Sequence, residues 1–147
     1  MTATISTTAT AHNDVAAQAF WRPAAVAAVV AAAATTAVAA VAHAAGVSLT
    51  IAGEQIPMAG FAQLTLMCVV VGILVAAAQR RWARNPRRAF VRTSVVVTVL
   101  SLIPDAIVDA SPATKITLMV THLVAAAIVV PVIAARLGQR RIGQRRN

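Results

Sequence analysis

Four long apolar stretches, with nearly all the arginine sorted into alternate gaps between them, decide what this chain can fold into. The stretches cover residues 23–47, 61–78, 91–108 and 116–135. The gaps after the second and fourth hold Arg80, Arg81, Arg84, Arg87, Arg88, Arg136, Arg140, Arg141, Arg145 and Arg146. The gaps after the first and third hold one base, Lys115, and up to three acids: Glu54, Asp109 and, if the third stretch ends before it, Asp105. About 20 apolar residues cross a hydrocarbon core of about 30 Å, and Lys and Arg collect on the cytoplasmic side. The expected architecture is all-α: an integral membrane bundle of four antiparallel transmembrane helices in the plasma (inner) membrane, with both termini cytoplasmic.

Composition supports lipid as the solvent. Only 12% of the residues are charged and 59% are hydrophobic, whereas soluble domains carry about 25% charged residues. The net charge of +9 raises the question of nucleic acid. That partner is rejected, because the bases lie in two blocks that each abut a span, and aromatic stacking platforms are absent. The chain has no tyrosine, and Trp82 is the one aromatic inside a basic block. Positive-inside sorting explains the charge, and the expected contact of the arginines 80, 81, 84, 87, 88, 140, 141, 145 and 146 is with anionic lipid headgroups. A single cysteine, Cys68, excludes the quinone-linked thiol oxidoreductases, which need pairs, and is read as a small packing residue.

Three segments follow from this frame: a disordered cytoplasmic tail over residues 1–20, a four-helix transmembrane domain over 21–137, and a basic cytoplasmic tail over 138–147. Phe20, Trp21 and Arg22 form an inner-interface anchor. The first apolar run exceeds the 7–15 residues of a signal-peptide core, so it is read as a retained anchor despite Ala42-His43-Ala44. Between the first two spans, Leu49 and Ile51 alternate with polar residues before Ala52-Gly53-Glu54, a hairpin signal.

Pro104 sits inside the third span. From Val91 to Ile103 the chain reaches only about 20 Å at 1.5 Å per residue, too short for the core. The helix is therefore expected to continue to about Val108, with Pro104 as a kink and Ser101 or a neighbouring helix satisfying the freed carbonyl. Pro131 is a second expected kink, in the fourth span. Continuation past Pro104 brings Asp105 inside the membrane.

Each span carries a stripe of small or polar residues, as helix packing in lipid requires. The third has Ser94, Thr98, Ser101 and Asp105; the second has Thr65, Cys68, Gly72 and Ala76; the fourth has Leu118, His122 and Ala125; the first has Thr36 and His43. His43, Asp105 and His122 lie about three to six residues from the outer ends of their spans, at depths agreeing within about 5 Å at 1.5 Å per residue. Ionisable groups in a bilayer usually face inward in pairs. The expected contact is His122 with Asp105, capped by Glu54 or Asp109. The first reading of this polar layer is a lock that fixes helix register. The alternatives are a binding or proton-handling site, or a zinc, iron or haem site. No metal site or cofactor is assigned, because ligands on separate helices offer no spacing to test. The first span lacks the carboxylate that small four-helix drug exporters carry there. No nucleophile–base pair, glycine-rich phosphate loop or HExxH motif is present, so the chain is read as non-enzymatic, with a membrane-protein partner or a second copy of itself as its possible associates.

Gly46-Val47, the arginine-rich loop with Pro86, the element Ser101-Leu102-Ile103-Pro104, the run His122-Leu123-Val124 and Pro131 together form a pattern over most of residues 21–137. It resembles an uncharacterised family of small four-helix integral membrane proteins found mainly in actinobacteria. The resemblance implies the four-helix fold and singles out Pro104 and His122. It implies no activity, the family being a domain of unknown function, and it does not extend to Asp105.

Overall fold

In the computed structural model, the backbone is described for residues 6–138 and the side chains for residues 21–138. Four helices, α1 (Ser6–Ala44), α2 (Met58–Trp82), α3 (Pro86–Ile107) and α4 (Pro112–Gly138), make up nearly all of it, with a two-stranded hairpin between α1 and α2. Each helix is long and apolar enough to cross a membrane; in α1 the qualifying part is Trp21–Ala44. The 22 residues of the shortest, α3, reach about 33 Å at 1.5 Å per residue, enough for the hydrocarbon core.

Prolines set the helix starts. Pro57 precedes α2, and Pro86 and Pro112 open α3 and α4, where the missing N–H is one that a helix leaves unpaired anyway. Ser111 caps α4 by accepting the Thr114 N–H at 3.2 Å. α1 ends in a Schellman motif: Val47 N–H donates to the Ala42 carbonyl and Gly46 N–H to that of His43, with Gly46 at φ 87°. This explains why glycine follows the alanine run.

α1 starts at Ser6, inside the segment the sequence reading gives to a disordered tail. Alanine at positions 9, 11, 16, 17 and 19 favours helix there, and the helix runs on through Pro23. Residues 139–147, with Arg140, Arg141, Arg145 and Arg146, lie outside the described residues. α3 continues through Pro104 to Ile107, as the length argument requires, and α4 runs through Pro131. The expected relief at Pro104 differs in detail. The Ser101 hydroxyl donates to the Thr98 carbonyl at 2.7 Å, not to Leu100, the carbonyl that Pro104 frees.

α1 packs on α2 and α4, and α3 packs mainly on α4. The core has two parts. At the end carrying the arginines, Ala24, Ala31, Val69, Ile73, Phe90, Val129, Ile133 and Leu137 close together. At the hairpin end, Ala39, Leu49 and Phe61 do so, with Leu118 and Ile56 against them. Ala31 and Ala39 are fully buried, so α1 approaches its neighbours closely on alanine. Thr35, also buried, shares a 2.9 Å hydrogen bond with Thr65 of α2 and donates its hydroxyl to Ala32 when not to Thr65.

The hairpin pairs β1 (Thr50–Ile51) with β2 (Glu54–Gln55), antiparallel, Thr50 opposite Gln55 and Ile51 opposite Glu54. Its turn is Ala52-Gly53, both at positive φ, 50° and 85°, the signature of a type I′ turn. Ala52 N–H donates to the Asp109 carbonyl at 2.8 Å, tying the hairpin to the α3–α4 connection. Leu49 is likewise left-handed, at φ 49°. Its carbonyl accepts the Ile56 N–H and its side chain is wholly buried, so the hairpin plugs its end of the helices.

Candidate functional site

Two features stand out chemically, at opposite ends of α3. The first is built near its C-terminal end. His122 Nδ1 lies 2.9 Å from Asp105 Oδ2. The same nitrogen lies 3.0 Å from the Leu118 carbonyl, one turn back on α4. A carbonyl only accepts, so the hydrogen bond to it places the proton on Nδ1. Asp105 Oδ2 sits at contact distance, yet it is buried without a well-directed donor. We therefore read the contact as an electrostatic one between ring and carboxylate, off the N–H axis. Asp105 is about nine-tenths buried, while the His122 side chain is 38% exposed. The pair thus sits at the edge of the α3–α4 contact. Lys115, seven residues before His122 on α4, donates to the Ala106 carbonyl at 3.1 Å, where a cation suits the negative end of α3.

Asp105 is one of two buried residues in α3; the other is Phe90. Between them Ser94, Thr98 and Ser101 are half-buried, and Val95, Val96, Val97, Val99 and Leu100 are exposed. The polar stripe expected on α3 thus faces the other helices. His43 does not join the pair. It lies exposed in the last turn of α1, and its side chain makes no ion pair or hydrogen bond among the described residues. Glu54 and Asp109 are exposed, and Asp109 contributes its backbone carbonyl to the hairpin. Among the described residues no three His, Cys, Asp or Glu side chains are grouped to hold a metal ion.

Other stripes are rotated from their expected positions. On α2 the packed face is Phe61, Thr65, Val69, Ile73 and Ala76, and Cys68 is exposed rather than packed. On α1 it is Thr35, not Thr36, that is buried among alanines. On α4 the buried threonines are Thr114, Thr117 and Thr121, the last two bonding back to their own helix.

The second feature is an open cleft of about 1140 Å³, lined by Arg80, Arg84, Arg87, Arg88, Arg92 and Arg136. It lies where the start of α3 meets the end of α4, with Leu137 and Gly138 on its wall. Arg81 is exposed and does not line it. Arg92 is absent from the arginines picked out for headgroup contact in the sequence. It lies just inside the third apolar stretch, but its spacing of four from Arg88 puts both on one helix face. Above the cleft, the Gln79 side-chain amide donates to the Thr93 hydroxyl at 2.9 Å, bridging α2 and α3.

The sequence pattern of the family of unknown function DUF6069 matches residues 15–139. The chain belongs to DUF6069. The match spans the His122–Asp105 pair and every described residue that lines the arginine cleft. Neither a curated protein nor a solved structure matches the chain.

Proposed function

We propose that this DUF6069 chain is a non-enzymatic accessory protein of a larger membrane system. It stands in the plasma membrane as four antiparallel transmembrane helices, with both termini and the arginine end in the cytoplasm. Anionic lipid headgroups contact that end, and the hairpin lies outside. The alternation of arginine-rich and arginine-poor gaps supports this orientation.

The observation that carries the accessory reading is the placement of the His122–Asp105 contact. His122 and Asp105 join α3 to α4 at the edge of their contact, which makes them a clamp on a helix that buries little else. Enzyme chemistry would ask for a third group at reacting distance, and a pocket to hold a substrate. The large cleft lies at the other end of α3. The exposed apolar face of α3 is left for lipid or for a partner's helix. A second reading, a small transport or ligand-binding protein, has one observation in its favour: Asp105 Oδ2 is buried without a directed donor.

The test is photo-crosslinking in native membranes from position 97 on α3, followed by purification in mild detergent with metal and haem analysis of the same sample. A discrete crosslinked membrane protein, or a crosslinked dimer, supports the accessory reading. Stoichiometric metal or haem without a crosslink overturns it in favour of the ligand-binding alternative.

A further inference from the structure

We propose that the arginine cleft is a discrete recognition site for a multiply charged phosphate group. Six arginines line it from three places in the chain: Arg80 and Arg84, both engaged in other interactions, around the end of α2, Arg87, Arg88 and Arg92 on α3, and Arg136 on α4. Among the described residues, no carboxylate lines it. Arg88 and Arg92 stand four apart on one helix face, a like-charge spacing that by itself destabilises a helix. Arg87 and Arg136 have a structural use, since both lie by the negative end of α4. An added Cβ on Gly138 would meet the Arg87 Cδ at 3.3 Å, so the Arg87 stem rests on that helix end. Arg88 and Arg92 flank no helix C-terminus, and their charge awaits an anion.

The start of α3 adds to the same field. Asn85 makes no side-chain cap and Pro86 occupies the first turn. The first backbone bond into the helix is that of Ala89 to Asn85, so the N–H groups of Arg87 and Arg88 have no helical acceptor. Unpaired N–H groups at a helix start, beside guanidinium forks, are the arrangement that phosphate oxygens accept from. Arginine rather than lysine supplies twelve of the thirteen bases, and arginine's planar fork suits bidentate phosphate contact. Arg88 and Arg92 alone bring two charges, so a singly charged headgroup leaves one of them unmatched. A group carrying two phosphates, or a diphosphate, matches it better. The chemistry is shared by a two-phosphate lipid headgroup and by a soluble diphosphate. The proposed orientation, on which the choice of source rests, puts the cleft at a cytoplasmic surface reachable by both.

The experiment uses the full chain in nanodiscs of neutral phosphatidylcholine. In one arm inorganic pyrophosphate is titrated calorimetrically; in the other a small fraction of cardiolipin is added and its retention is read by native mass spectrometry. Saturable binding near one per chain is expected in at least one arm. Arg88→Gln with Arg92→Gln should weaken it at least about tenfold, as loss of charge-assisted phosphate bonds implies. Arg22→Gln with Arg81→Gln removes the same charge from residues that do not line the cleft and should stay within about threefold, since exposed side chains outside it make no directed phosphate bond there. Cardiolipin retention assigns a lipid headgroup, and pyrophosphate binding alone assigns a soluble ligand. Equal losses in the two double variants, or no saturable binding in either arm, overturn the site. A nanodisc exposes both faces, so an inverted topology in cells would sink the orientation while leaving this result standing.

Discussion

His122 and Asp105 meet across the α3–α4 contact at 2.9 Å, seventeen positions apart in sequence, with the carboxylate buried and the ring half-exposed. The carboxylate oxygen is close to the ring nitrogen without lying on the line of its N–H, which the Leu118 carbonyl takes. His122→Leu therefore removes the nearest positive dipole from a buried carboxylate. Loss of about 1–3 kcal/mol is expected for a stranded buried polar group, towards the low end in a membrane. Asp105→Leu added to it should recover part of that loss. Unfolding in a graded detergent series measures both. A double variant no more stable than His122→Leu alone would show that the pair is not a unit.

The hairpin gives a prediction of opposite sign. Ala52 holds φ 50° in a turn where glycine is relaxed. Ala52→Gly should be neutral to stabilising, by up to about 1 kcal/mol, because a left-handed alanine costs about 1–2 kcal/mol and glycine returns part of that as chain entropy. Leu49→Ala should destabilise by about 2–4 kcal/mol, the range for a large residue truncated in a packed core. Leu49 is wholly buried against Ala39 and Phe61. Limited proteolysis at the hairpin should follow the same order, with Leu49→Ala cut fastest.

Position along a helix axis was legible in the sequence; rotation about it was legible for α3, whose polar stripe faces its neighbours, and not for α1 or α2. Depth is a product of residue count and rise, so the level shared by Asp105 and His122 follows once Pro104 is placed inside the helix. His43 is at a similar depth by the same arithmetic, yet it faces away. Which way a helix turns depends on which neighbours it has, and α1 is so rich in alanine that many registers pack. On α2 the row Phe61, Thr65, Val69, Ile73 wins over the row through Cys68 because Phe61 and Ile73 carry more apolar surface into the core. Arg92 was hidden by its place in an apolar stretch, and the cleft it completes needs three chain segments brought together.

Sidedness is tested by Arg84→Cys on a Cys68→Ala background. Cys68 is exposed on α2 and would otherwise react with permeant reagents. An impermeant maleimide should leave intact cells unlabelled and label inverted membranes. Labelling of intact cells would reverse the orientation and put the hairpin in the cytoplasm.

Removal of residues 140–147 takes away four arginines. Association with anionic vesicles should weaken, each surface base contributing about 1 kcal/mol at low salt, and the deficit should shrink as salt rises. Orientation should be kept, because Arg80, Arg81, Arg84, Arg87 and Arg88 still flank α2 and α3. The maleimide assay above reads orientation in the truncated chain, and inversion there would move the orienting signal to the tail.

Phe90 is the second point at which α3 is held. It is 2% exposed and packs with Ala24, Ala76, Ile133 and Leu137 among others, fifteen positions before Asp105. The residues between them bury little, so α3 is fastened at its two ends and leans on α4 between. Phe90→Ala should cost about 3–5 kcal/mol by the usual range for such truncations. The loss should be local to α3, because α1, α2 and α4 pack on one another without it. Hydrogen exchange in detergent distinguishes the outcomes: amides of α3 should exchange faster while those of α1 and α4 keep their protection. Uniform loss of protection in all four helices would mean that α3 is part of one cooperative core. Combined with His122→Leu, the effect should be close to additive, since the two anchors lie about 20 Å apart along the helix at 1.5 Å per residue. A strong coupling between them would show that α3 docks as a single rigid element.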